Sequence, residues 1–252
     1  MSLISTPAII LSALRYGETS KIVRLATRDH GVQSAIAKGA LRPRSRFGAA
    51  LQVLSTGQAQ LYHSDRRELH TLAAFDLGTV PIGLAEHIGR YATATALAEV
   101  MLRVAPPEPH PEAFDVLAQS LLALSQVSLA ELPALSLRVL WELVGALGFA
   151  PALEACVRDG RVLREGAIAF SAPEGGALCS VCARSTEVTE LPAEARAALE
   201  RLTAPSGALP ALDPRNAAAH RRLLARYVRY HLAEGAALPA MEFWLRRGWD
   251  SP

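Results

Sequence analysis

The chain has 252 residues, half of them apolar, and a formal net charge of only +2. That is apolar material for a sizeable core and suits one to three domains, while no run approaches the roughly 18 apolar residues of a membrane span. Three cysteines, an odd number, argue against a secreted disulfide framework and for a reducing compartment with metal or thiol chemistry.

The small net charge hides a segregation. Residues 1–80 carry 10 basic and 5 acidic side chains, residues 215–252 carry 7 and 3, and the stretch between them carries 9 and 16. A polyanion is therefore expected to meet the two ends. Lys21 and Lys38 are the only lysines; the other cations are Arg, whose planar fork suits phosphates.

Met1 to Leu14 is uncharged, lacks a basic n-region and a cleavage site, and alternates like a strand, so a signal peptide is not expected and the chain is read as cytoplasmic. Strand patterns follow at Ala8–Leu14, Lys21–Ala26, Val32–Ala37, Leu51–Leu61 and Leu69–Leu77. Tyr16-Gly17-Glu18 reads as a hairpin turn, Gly57 as a bulge or bend, and Ser64-Asp65-Arg66-Arg67 as a charged turn. Five short strands without an intervening helix suggest a five-stranded OB-fold barrel over residues 1–80, with any small antiparallel sheet as the alternative.

Between the third and fourth strands, Lys38, Arg42, Arg44 and Arg46 occur with no acidic residue among them, and Gly39, Pro43 and Gly48 break helix and strand alike. Such a loop is either a solvated basic turn or a site for a polyanion, nucleic acid above all. Arg24 and Arg28, on the second strand and its exit, extend the candidate DNA-binding set, with Lys21 beside them. Tyr16, Phe47, Tyr62 and Phe75 are the aromatics at hand, too few for a stacking platform, so backbone contact should dominate.

From Pro81 the period changes. Ile82–Val104 reads as a helix ended by Pro106-Pro107; Glu112–Gln126 and Pro133–Leu147 follow, the latter stopped by Gly148. These make a helical domain over residues 81–150. Residues 151–190 then read as a zinc-finger-like segment. Cys179-Ser-Val-Cys182 is a metal knuckle, with Gly175-Gly176 as the turn leading into it. Cys156 lies upstream at finger spacing, and Asp159 stands where a fourth cysteine would complete the set. A structural zinc on Cys156, Asp159, Cys179 and Cys182 is the leading reading; three free thiols and a redox C-x-x-C remain alternatives.

Residues 191–252 read as further helices packing on the helical domain. Asp213 as N-cap and Pro214 open a helix that Gly235 closes. Leu224, Tyr227, Val228 and His231 share one side, read as core. Arg215, Arg222, Arg226 and Arg229 share the other, within about a 60° sector, either a solvated face or a second basic surface. No phosphate-binding G-x-x-x-x-G-K-[ST] occurs, and no acidic pair or nucleophile motif stands out. Binding, not catalysis, is the expectation, in an α+β multidomain chain.

YGETSKIVRLATRDHGVQSAIAKGALRPRSRFGAALQ, the later G-F-A-P-x-L-x-x-C, the F-S…G-G-x-x-C-x-x-C and the terminal R-Y-V-R-Y-H-L resemble the bacterial RecO recombination-mediator family. The resemblance implies an OB-fold, a helical bundle and a zinc finger in one chain. It implies a protein that binds single- and double-stranded DNA, anneals complementary strands and, with RecR, helps load RecA onto strands coated by single-strand-binding protein. It also implies the acidic tail of that protein as a partner, for which Arg90, Arg103, Arg138 or the terminal Arg stripe are candidate anchors. Position 159, cysteine in many members, is the departure. The competing reading is a nucleic-acid-binding accessory subunit whose barrel is a docking module without annealing activity.

Overall fold

A computed structural model of the chain describes residues 2–64, 66–78, 81–105, 108–204, 206–233 and 236–246. Alternating apolar and polar residues build five strands: β1 (Ser2–Tyr16), β2 (Ser20–Thr27), β3 (Gly31–Ala37), β4 (Thr56–His63) and β5 (Leu69–Leu77). They close into a barrel of order β1-β2-β3-β5-β4, with β3 and β5 parallel and every other pair antiparallel. This is the OB arrangement the strand pattern suggested. Ile10, Val23, Leu25, Ala35, Leu61 and Leu72 fill the interior. Gly17 turns the β1–β2 hairpin with φ +60°.

Two strand expectations are corrected. β4 begins at Thr56, not Leu51, because Leu54 takes φ +70° and its amide is held by the Ile10 carbonyl, while Ser55 returns a carbonyl to Ile10 N–H. Gly57 is no bulge: a Cβ there would stand 2.3 Å from the Asp76 carbonyl oxygen, so glycine permits close approach of β4 to β5. The register irregularities fall instead at Ile10/Ser12 and Gln60/Leu61.

The helices are α1 (Ile88–Val104), α2 (Pro111–Gln126) and α3 (Leu132–Val144), the last continued by a π-turn over Gly145–Phe149. The single helix expected over Ile82–Val104 is split. Ile82–Leu84 is a 3₁₀ turn, and α1 starts afresh after His87, whose Nδ1 accepts the Gly89 amide. Pro106-Pro107, read as the breaker after it, lies outside the described residues, as do Asp65 and Gly235. Gly148 does end the third helix, at φ +91°. Ala92, Ala94, Ala96, Ala98 and Leu97 bury α1 on several faces at once, because it is sandwiched between β1, α2, α3 and the C-terminal helix over Pro239–Leu245. Ile9, Leu11, Ala26 and Leu54 turn outward from the barrel and join that same core, so barrel and bundle share apolar packing. The segment Leu132–Phe149 has a mean hydropathy of 1.4 and is 61% buried, the interior helix of the bundle.

A three-stranded sheet, β7-β6-β8, follows: β6 (Ile168–Ser171), β7 (Gly176–Leu178) and β8 (Thr189–Leu191). Then come α4 (Ala193–Thr203), α5 (Pro214–Leu232) and α6 (Pro239–Leu245). Asp213 caps α5 through the Asn216 amide at 2.9 Å, as the sequence predicts. The Glu99 carboxylate caps α6 by accepting the amides of Ala240 and Met241 at 3.1 and 2.9 Å. Leu224, Tyr227 and Val228 are core; His231 is half-buried and donates from Nε2 to the Ala172 carbonyl at 2.6 Å. Tyr227 Oη donates to the Phe149 carbonyl at 3.2 Å. Thus Tyr227 ties α5 to the end of the π-turn, and His231 ties it to the segment that carries the cysteines.

Candidate nucleic-acid interface and metal centre

The basic loop is an ordered cap on one end of the barrel. Successive turns run from Arg42 N–H to the Gly39 carbonyl, Ser45 to Arg42, Gly48 to Ser45 and Ala50 to Phe47, at 2.9–3.2 Å. Gly39 and Gly48 supply the positive φ these turns need, +73° and +49°. Leu41 N–H is held by Thr19 of the hairpin at 2.8 Å, and Lys21 Nζ donates to the Leu51 carbonyl at 3.0 Å. Phe47, Ala50 and Leu51 point into the barrel core. The apolar residues of the loop therefore face in, and Lys38, Arg42, Arg44 and Arg46 are left exposed.

Those cations have little else to bind. Among the described residues no hydrogen bond or ion pair engages the side chains of Lys38, Arg42 or Arg44, and Arg46 stacks over the Phe47 ring at 5.0 Å. Arg24 is also exposed, on β2 opposite Ser12 and Ser34. Arg28 differs. Its Nε and Nη2 both reach the Asp115 carboxylate of α2 at 2.9 Å, a bidentate clasp between barrel and bundle. That bond holds the Asp115 carboxyl below its ordinary range. Sequence neighbourhood groups Arg28 with the candidate DNA-binding cations, because its partner Asp115 lies 87 residues away in chain order. Of the barrel aromatics, Phe47 and Phe75 are only 3% and 6% exposed, whereas Tyr16 and Tyr62 are 53% and 44% exposed; only the latter two can meet a base.

The terminal Arg stripe is present on α5: Arg215, Arg222, Arg226 and Arg229 are all exposed. Arg226 is partly committed, with Nη1 2.9 Å from Glu187. Of the bundle arginines, Arg90 donates to the carbonyls of Gly83, Ser125 and Val127. Arg138 donates to those of Arg201, Gly207 and Ala208. Both are internal clamps, which leaves Arg103, exposed in the last turn of α1.

Cys156, Asp159, Cys179 and Cys182 converge, with one ligand atom from each lying within 4.8 Å of every other. Two tight turns bring them together. Gly160, at φ +69°, returns its amide to the Cys156 carbonyl at 2.9 Å, and Ala183 N–H returns to the Cys179 carbonyl at 3.0 Å. The Cys182 amide points at Cys179 Sγ, 3.5 Å away. Asp159 Oδ2 stands 3.4 Å from Cys179 Sγ and 3.7 Å from Cys182 Sγ. A tetrahedral ion with metal–sulfur bonds of about 2.3 Å and metal–oxygen bonds of about 2.0–2.2 Å needs donor separations of roughly 3.5–3.8 Å, so the four residues fit one ion. The electrostatics point the same way. Hydrogen bonds from Cys156, the Arg161 amide and Cys179 bring the Asp159 carboxyl down to about 2. The Cys182 thiol is pushed up to about 12, first by its hydrogen bonding with Cys179 and then by desolvation. A divalent cation would relieve that crowding of acceptors and hold the thiols as thiolates. The donor set is closed, with no position for a substrate. His110-Pro111-Glu112 has the spacing of a zinc-deaminase H-x-E, but His110 Nδ1 is committed to the Ala113 amide as the cap of α2, and neither residue is in the cluster.

Comparison with known proteins agrees with this architecture. The family model described as Recombination protein O N terminal matches residues 1–79, and Recombination protein O C terminal matches residues 85–237. The DNA repair protein RecO of Anaeromyxobacter dehalogenans (strain 2CP-C) is 35% identical over 250 residues, 96% of each chain. The proteins of that name from Nocardioides sp. (strain ATCC BAA-499 / JS614) and Rubrobacter xylanophilus are 34% and 32% identical, covering 90% and 94% of this chain and 94% and 95% of theirs. With both family models matched and full-length relatives above 30% identity, the chain belongs to the recombination protein O family.

Proposed function

We propose that the chain is a DNA-binding recombination mediator. It anneals complementary single strands and, with RecR, helps load RecA onto DNA coated by single-strand-binding protein, acting at the nucleoid in the cytoplasm. The observation that carries this reading is the ordered loop whose cations Lys38, Arg42 and Arg44 are exposed and uncommitted. Annealing two polyanions requires their repulsion to be neutralised while the bases stay free. A cationic loop whose own aromatic is tucked inward grips phosphates without trapping bases. Single- and double-stranded DNA are both ligands on these terms. Arg24, Lys38, Arg42, Arg44 and Arg46 make the contact; Arg28 serves the junction with α2. The α5 stripe is a second, weaker basic surface. No catalytic residue is assigned.

The ion at Cys156, Asp159, Cys179 and Cys182 is proposed to be one structural zinc per chain, since three sulfurs and a carboxylate converging within 4.8 Å suit that ion. When bound it supplies stability, because the fold of residues 151–190 has few other buried contacts of its own around the cysteines. RecR and the acidic tail of single-strand-binding protein are the proposed protein partners, with Arg103 the bundle arginine left to meet an acidic tail. A strand-annealing assay with this protein alone tests the reading: acceleration that falls with salt is expected. Tight DNA binding without annealing would instead favour an accessory docking module.

A further inference from the structure

Arg158 lies between Cys156 and Asp159 in sequence and reaches across to the other two donors in space. Cys156 and Cys179 are the inner donors, 2% and 5% exposed, whereas Asp159 and Cys182 form the solvent side of the cluster. Asp159 Oδ1 accepts the Arg161 amide at 3.1 Å, which leaves Oδ2 aimed at the sulfurs of Cys179 and Cys182. From the same turn the Arg158 guanidinium crosses to the second knuckle. Its Nη1 donates to the Cys182 carbonyl at 3.4 Å and to Ser185 Oγ at 2.6 Å, and its Nη2 pairs with Glu174 at 2.5 Å, two residues before β7. Ser185 Oγ in turn donates to the Cys182 carbonyl at 3.1 Å. One residue back, Val157 N–H donates to the Ala177 carbonyl at 3.0 Å and pins the turn to β7.

We infer that Arg158 is the positioning residue of the metal centre: it braces the Cys182 side of the second knuckle against the Cys156–Asp159 turn, and so compensates for the carboxylate at 159. That role presupposes the ion proposed at the four donors. Groups outside the ligand shell orient the ligands, and their loss commonly weakens metal affinity by about 10–100-fold. The need for a brace is greatest where oxygen replaces sulfur, since the carboxylate is the weaker donor for a borderline-soft ion. Both ligands of the solvent side are served, because Arg158 adjoins Asp159 in the chain and holds the carbonyl of Cys182. Charge by itself is not the device. Glu174 matches the charge of Arg158, so the pair adds no net charge beside the donors. What the guanidinium adds is a rigid fork spanning Cys182, Ser185 and Glu174, which the point charge of a lysine does not reproduce.

The test uses the full-length chain, with zinc affinity read by competition against a chelating dye and site geometry by the visible absorption of the cobalt-loaded protein. Arg158→Gln should bind zinc about 10–100-fold more weakly than the native chain. Its cobalt form should also absorb less strongly at saturation, because a slackened knuckle admits water and the ion leaves four-coordination. Arg158→Lys should bind almost as weakly as Arg158→Gln. In an Asp159→Cys background, where the fourth donor is a thiolate, the loss caused by Arg158→Gln should be clearly smaller. Oligonucleotide binding, which belongs to the barrel loop, should be the same in every variant. A native chain that takes up neither ion refutes the metal centre and the brace together. A native chain that binds both, with Arg158→Gln equal to it in affinity and spectrum, refutes the brace alone. So does full recovery in Arg158→Lys, which would make the effect one of charge, or an equal loss in the two backgrounds at position 159. Loss of oligonucleotide binding in Arg158→Gln would likewise overturn a role confined to the metal centre.

Discussion

Replacing Arg42, Arg44 and Arg46 together by Ala should remove more than half of the salt dependence of DNA binding while leaving the barrel folded. Among the described residues the proposed contacts offer phosphate five exposed cations, Arg24, Lys38 and these three, of which Arg46 also stacks on Phe47, while Arg28 is engaged by Asp115. At about 0.7 per contact on single strands, the slope of log affinity against log salt should be about −3.5 in the native chain and about −1.4 in the variant. Between 50 and 200 mM salt that is a loss of about 100-fold against about 7-fold. The folding cost is confined to the Arg46–Phe47 stack, about 0.5–1 kcal/mol at an exposed site, since Phe47 and Leu51 keep the loop anchored in the core. Fluorescence anisotropy over a salt series reads the slope, and an annealing assay reads the consequence. The triple variant Arg222→Ala/Arg226→Ala/Arg229→Ala ranks the second surface and should flatten the slope less. If the loop variant keeps the native slope and anneals normally while the α5 variant loses both, DNA meets the other end of the chain and the reasoning fails.

Elemental analysis should find one zinc per chain; Cys182→Ala should lose it to a chelator faster than Asp159→Ala, because sulfur is the softer and tighter donor, and a metal-free purified protein would refute the site. The Arg28–Asp115 clasp should stabilise the barrel–bundle junction at neutral pH. Because Asp115 is held below its ordinary 3.8, that contribution is complete above about pH 4 and fades as the pH falls through the lowered value. Thermal melts of Asp115→Asn should therefore differ from native at pH 7 and converge with it as the pH falls through that lowered value; a gap that widens in acid would contradict the pairing. Arg138→Met should cost about 3 kcal/mol or more in urea unfolding, since it strands the carbonyls of Arg201, Gly207 and Ala208, and a change below 1 kcal/mol would show them satisfied otherwise.

Local chemistry sufficed for much of this molecule. Alternation placed the strands, glycine and proline bounded the loop, and Asp213-Pro214 opened α5, because each is decided within a few residues by backbone sterics and capping. The cysteine spacing likewise brought Asp159 into the metal set, since two tight turns at that separation offer four donors to one ion. What local pattern could not decide was which charges are already engaged. Arg28, Arg90 and Arg138 read as free cations in the chain; the fold commits them to Asp115 and to carbonyls far away in sequence. Which of the four barrel aromatics face solvent was equally open in the sequence; closure of the barrel buries Phe47 and Phe75 and leaves Tyr16 and Tyr62 exposed. Propensity and capping act over one turn or one hairpin, so they survive in the sequence; charge pairing and cavity shape act through space, so only the tertiary structure sets them.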